Sequence, residues 1–209
     1  DSPLPQTLPA IRGLCGLAPE SGLPGHYGLE AGRSADGDIF NWFVQKIRPG
    51  EMTHEALQRE AAKLRPAESG LLALDWNNGN RTILTDVRLS GLLLGQTLHT
   101  KAHEIYRALI EATAYGALTI INRYEEYGVK VEEVINTGGL AVKNATLMQI
   151  YADVLGRPMK VSRSEQTCAL GAAIAGAIVA GRGVGGHDTY TQATKAMTHV
   201  QKTRYIPNR

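Results

Sequence analysis

Val134-Ile135-Asn136-Thr137-Gly138-Gly139-Leu140-Ala141-Val142-Lys143-Asn144 is the stretch on which the fold turns. A short apolar run ends in a glycine pair. Asn144, a good helix N-cap, stands before the helical run Ala145 to Leu155. The spacing predicts a strand, a tight turn and a helix start. Glycine has no Cβ, so Gly138-Gly139 can take turns that other residues avoid and can let a flat ligand lie against the main chain. The helix start beyond offers free N–H groups to an electronegative partner. Taken alone, a glycine pair before a helix is common, and a plain strand-to-helix turn is the better reading of it.

Outward from this stretch, strands alternate with helices. Downstream, Gly156-Arg157-Pro158 closes the helix and Met159 to Ser162 reads as a short strand. Cys168 to Ala180 reads as a helix almost without polar atoms, expected to be buried against a sheet or another helix. Thr189 to His199 reads as a final helix and Arg204 to Arg209 as a tail. Upstream, a long helix from about Thr100 to Gly128 is expected to turn Ile105, Leu109, Ala112, Gly116, Ile120 and Tyr124 inward, with Arg107 and Glu111 paired at i,i+4. Gly70 to Trp76 reads as a buried strand opening into the loop Asn77-Asn78-Gly79-Asn80-Arg81-Thr82, and Asp86 to Gly95 returns as a strand or turn.

Earlier still, Ser34 is expected to cap a helix whose apolar face is Ile39, Phe40, Trp42, Phe43 and Ile47, read as core. Thr53 to Leu64 is a second helix. Residues 1–12 are proline-rich and expected to be loose. Gly13 to Leu17 and Gly25 to Leu29 form the arms of a glycine-rich hairpin, and Glu30-Ala31-Gly32 ends the second arm. A carboxylate there could point into a cleft or stand as a solvated turn residue, and the sequence leaves both open. The alternation argues for an α/β domain with helices covering a sheet.

The totals narrow the function. The 209 residues suffice for one large or two small domains; 43% hydrophobic and 20% charged residues fit a globular protein. A net charge of +2 with no Lys/Arg run argues against nucleic acid. Cys15 and Cys168 sit in no metal-type pair and read as reduced thiols of a cytoplasmic protein. The longest apolar runs fall far short of a membrane span, and the first residues, without Met or an apolar stretch, read as an internal cut through a longer chain rather than a leader. Gly181-Arg182-Gly183-Val184-Gly185-Gly186 matches a dinucleotide motif, but it follows a helix instead of a strand and is rejected. There is no Walker A sequence. His99 and His103 lie i,i+4 apart without a third ligand, so they are read as solvated and no metal ligand is assigned.

Several segments in order resemble the C-terminal domain of the FGGY carbohydrate kinases. They are Tyr27 to Asp38, Leu74-Asp75-Trp76-Asn77-Asn78-Gly79-Asn80-Arg81-Thr82, Gly138 to Asn144, Met148 to Leu155 and Cys168 to Ile174. The similarity runs from about Gly13 to Pro207, and within the family it is greatest to the branch that phosphorylates L-ribulose. The resemblance implies an actin-like, ribonuclease-H-like ATPase domain, with a mixed sheet flanked by helices, occupying residues 13–209 and lacking its last helix. It implies ATP and Mg²⁺ as cofactors, a ketopentose substrate, an N-terminal kinase domain of the same chain across the cleft, and homodimer formation, although no stretch marks an interface. Gly138, Gly139 and Leu140 would hold the adenosine, with Asn144 near the base. Glu30 would bond sugar hydroxyls, and Asn78 and Arg81 would lie on the cleft rim. The family's general base is an aspartate with no matching residue here, so the 209 residues alone are expected to be inactive. Kinases of the same family acting on xylulose, gluconate or glycerol, and a non-catalytic actin-like nucleotide-binding module, remain as alternatives.

Overall fold

A computed structural model describes residues 2–3, 10–47 and 52–208. Three small sheets and seven helices make up the described residues. Strands β2 (Gly16–Pro19) and β3 (His26–Glu30) form the antiparallel hairpin, in register Gly16 to Glu30. Strand β1 (Ser2–Pro3) lies on the other edge of β3. Ile11 is buried and Arg123 Nη1 donates to the Arg12 carbonyl at 2.9 Å. The segment expected to be loose is therefore tied down at both ends; residues 4–9 lie outside the described residues.

Helix α1 (Gly37–Trp42) starts later than the Ser34 cap implies, because Asp36 takes the capping position and gives its side chain to Arg33. It widens into a π turn at Phe43–Ile47. Ile39, Phe40 and Phe43 are core, but Trp42 and Ile47 are 41% and 48% exposed; Val44, four residues after Phe40, takes the inward place instead. Helix α2 (His54–Ala61) is capped by Thr53, whose hydroxyl accepts from Ala56 N at 3.2 Å.

Strands β4 (Leu72–Leu74) and β5 (Leu92–Leu94) form a second, antiparallel pair. Helix α3 (Ala102–Glu126) runs through the middle of the fold, with α2 and β4 packed on it. It buries more than one face: Leu109 and Ala112 as expected, and Tyr106, Ile110, Thr113 and Ala114 besides. Arg107 pairs with Glu111 at 2.7 Å and donates to the Ala61 carbonyl at 3.0 Å, locking α2 to α3 with little exposure.

The third sheet follows from the opening stretch. Strand β6 (Val134–Asn136) pairs in parallel with β7 (Met159–Ser162), and β8 (Val200–Tyr205) adds antiparallel to β7. The sheet is therefore mixed, with β7 central and Met159 and Val161 fully buried. Between β6 and β7 come α4 (Gly139–Lys143) and α5 (Ala145–Leu155), the latter packed along α3 and closed by Gly156 at φ +62°. The expected tail at Arg204 is in fact the end of β8. An edge on β7 was open to it, and Gln149 and Asp153 of α5 hold Ile206 and Asn208 at 2.8 Å.

Helix α6 (Thr167–Ala180) corrects another expectation. Only Ile174 is buried, and Val179 is 88% exposed. Its alanines and glycines bury little area each, so composition alone gives the helix no strong pull inward. It packs against α7 (Tyr190–Met197), which Thr189 caps.

Candidate functional site

The first group of candidate residues sits where β3 ends. Glu30 and Arg81, far apart in sequence, form an ion pair at 3.0 Å, with side chains 67% and 56% exposed. Asn78 donates to the Ser34 carbonyl at 3.2 Å. Thr82 Oγ1 accepts from Gly32 N at 2.8 Å and donates to the Gly32 carbonyl. Loop 77–82 thus clamps segment 30–34 along its length, and the rim residues expected separately are brought together. The clamp depends on Gly79: its φ is +79°, and a Cβ there would stand 2.6 Å from Val87 Cα. Beside the clamp lies a cavity of about 300 Å³ lined by Arg33, Asp75, Arg81, Thr82, Tyr115 and Gly116 among others. Glu30 is not in its wall and meets it through Arg81.

Beneath the rim is a buried polar cluster to which the sequence reading assigned no role. Arg33 donates to the Thr113 carbonyl and, at 2.6 Å, to the Tyr151 hydroxyl, and it pairs with Asp36. Its guanidinium also lies 5.5 Å from the Tyr151 ring centre. Burial opposes the Arg33 charge, yet Tyr151, Asp36 and Asp75 together hold its pKa above the ordinary arginine value. Asp75 is 6% exposed and its Oδ2 has no hydrogen-bond partner. Burial pushes its carboxyl up, with Arg33 opposing.

Two tests follow from this cluster. A Cβ at Gly116 would meet Asp75 Oδ2 at 2.4 Å and Arg33 Cδ at 3.0 Å. Helix propensity alone favours Gly116→Ala by about 1 kcal/mol. Crowding should reverse that sign and leave a net loss of about 1–2 kcal/mol in urea unfolding. A more stable variant would mean that the cluster yields. For Asp75, a folded-state pKa raised above the unfolded value means that protonation stabilises the fold. That contribution is present at low pH and lost as pH rises through the folded pKa. Asp75→Asn should therefore melt higher than wild type near neutrality, with the gain shrinking as pH falls into the carboxylate range. A gain that does not change with pH would contradict this.

The second group lies at the end of β6. Gly138 has φ +86° and ψ 170°, a conformation essentially reserved for glycine. A Cβ on Gly138 or Gly139 would meet nothing within 4 Å, so the main chain faces open space. Leu140 is 37% exposed beside it. The sequence predicted a helix starting directly at Asn144; the structure inserts the single helical turn α4 first. Asn144 is 4% exposed, and its Oδ1 accepts from Leu147 N at 2.8 Å. Its amide oxygen is spent on capping α5.

The remaining motifs resolve simply. His99 lies in the turn before α3, so it shares no helix face with His103, and no group of three metal-binding side chains occurs among the described residues. Gly181 to Gly186 forms the exit of α6, with a 3₁₀ turn at Arg182–Val184. No described helix is long and apolar enough to cross a membrane.

The described residues thus form an α/β domain with an open glycine turn at the end of β6 and a clamped carboxylate at the end of the hairpin. Residues 1–180 match the family model for the C-terminal domain of the FGGY family of carbohydrate kinases, and the chain belongs to that family. It is 49% identical over 207 residues to a ribulokinase from Halalkalibacterium halodurans, covering 94% of this chain and 37% of that protein. The chain thus spans little more than a third of the length of this relative. Among solved structures, ligand-bound xylulose kinase from Lactobacillus acidophilus superposes with a TM-score of 0.78 at 22% identity, over 96% of this chain and 39% of that one. Plasmodium falciparum glycerol kinase with ADP superposes at 0.72 and 18% identity, over the same shares. At these identities the two structures establish the fold alone.

Proposed function

We propose that this chain is the C-terminal, nucleotide-side part of a cytoplasmic, ATP-dependent L-ribulose kinase. The reaction transfers the γ-phosphoryl group of ATP to a sugar hydroxyl, giving L-ribulose 5-phosphate, as L-arabinose catabolism requires. The observation that carries the reading is Glu30: an exposed carboxylate aimed by Arg81, on a segment clamped at Thr82. A solvated turn residue needs no such clamp, whereas a group that bonds sugar hydroxyls must be held in place before the sugar arrives. The 49% identity to a ribulokinase supports the choice of sugar.

The open main chain at Gly138-Gly139 fits the flat face of an adenine ring, with Leu140 against it; Asn144 serves by fixing the turn through the α5 cap. Bound Mg²⁺ would offset phosphate charge during the transfer. In this reading the metal, the phosphates and the general base belong to the opposite wall of the cleft, as the family resemblance implies. In this account the 209 residues are one wall of a two-walled site. Incubated alone with Mg·ATP and L-ribulose, they are expected to release ADP at the background rate. Sugar-dependent release well above background would show that the wall is sufficient and that the assignment of the base is wrong.

A further inference from the structure

The segment carrying Glu30 is held from two sides. On one side is loop 77–82, through Arg81 and Thr82. On the other is α5, through Arg33. Arg33 lies three residues beyond Glu30 and is largely buried, and its fork spans Thr113 of α3, Tyr151 of α5 and Asp36 of its own segment. Helix α5 is also the helix capped by Asn144, one short helix (α4) after the glycine turn. Helix α5 therefore starts one short helix beyond the glycine turn and reaches the acidic subsite through Arg33. A guanidinium suits this place. It offers several donors in a fixed plane, so one side chain meets three partners, which a lysine ammonium on a flexible stem does not reproduce. Gly116 being glycine, with its missing Cβ directly over the Arg33 and Asp75 side chains, leaves the cluster room for this one arrangement.

We infer that Arg33 is a positioning residue: anchored on Tyr151, it sets the Glu30–Gly32 segment in register with helix α5, so that Glu30 meets the sugar already oriented. This deepens the reading of Glu30 as a sugar ligand and rests on it. The test uses the full-length protein and two mild variants. Arg33→Lys keeps the charge facing Asp36 and Asp75 but cannot make the three-way fork. Tyr151→Phe removes the hydroxyl and keeps the ring. Each is expected to raise the KM for the preferred sugar about tenfold, with the KM for ATP and kcat within about twofold of wild type, since a misplaced binding group weakens ground-state and transition-state contacts alike. The double variant should be no worse than the poorer single one, because both break one connection.

Sugar KM unchanged in both variants would overturn the inference. So would a parallel rise in the KM for ATP with a lower melting point, which would make Arg33 a residue of the fold alone. A second readout is independent of the substrate: amide hydrogen exchange of residues 30–36. Faster exchange confined to that segment in Arg33→Lys supports the anchor, and unchanged exchange rejects it, even if the wild-type protein turns over no sugar and the proposed activity itself fails.

Discussion

Glu30→Gln in the full-length protein is expected to lower kcat/KM for L-ribulose by about 10- to 150-fold, the range set by losing a charge-assisted hydrogen bond of about 1.5–3 kcal/mol. Glu30→Ala should be at least as severe. The substitution is a clean one. The Glu30–Arg81 pair is more than half exposed on both sides, and exposed pairs contribute about 0–1 kcal/mol to folding, so the variants should melt close to wild type. Arg81, left without its partner, remains in water rather than becoming a buried charge. The loss should appear with the sugar varied and be nearly absent from the KM for ATP. An unchanged kcat/KM would make Glu30 a solvated turn residue, the other reading that its sequence position allowed.

Gly138→Val should have an effect of similar size on the other substrate. At φ +86° and ψ 170° a β-branched side chain is strained by about 1–3 kcal/mol, and its methyl groups would fill the space over the main chain. The KM for ATP is expected to rise at least about tenfold, with the sugar KM little changed. Gly139→Ala separates the two causes. Gly139 begins α4 without a positive φ, and a Cβ there meets no neighbour, so alanine is tolerated by the fold. Any rise in the KM for ATP in Gly139→Ala reports a ligand against that stretch of main chain. Wild-type nucleotide kinetics in both variants would leave the glycine pair a plain turn.

What was legible in the sequence is what local chemistry governs. The hairpin, the cap at Asn144, the helix starts at Thr53 and Thr189, the stop at Gly156 and the Arg107–Glu111 pair all follow from residues within a few positions of one another. What was hidden depends on partners distant in the chain. Strand β8 reads as a tail until β7 is seen to offer it an edge. Helix α6 reads as buried because nothing in its own residues says which side is covered. The Arg33 cluster joins positions 33, 75, 113 and 151, and each looks ordinary alone. The signals were a charge closing an apolar strand at Asp75 and a lone tyrosine hydroxyl in the apolar run of α5. Asn144 caps the helix that its own chemistry predicts.

The most direct test of the central claim is ADP release by the full-length protein with Mg·ATP across a small panel of ketoses and polyols. The account predicts strongest turnover on L-ribulose. Best turnover on xylulose, gluconate or glycerol would contradict the specificity while leaving the family and the mechanism in place. Nucleotide binding without turnover on any sugar would contradict the kinase reading itself and favour a non-catalytic module of the same fold.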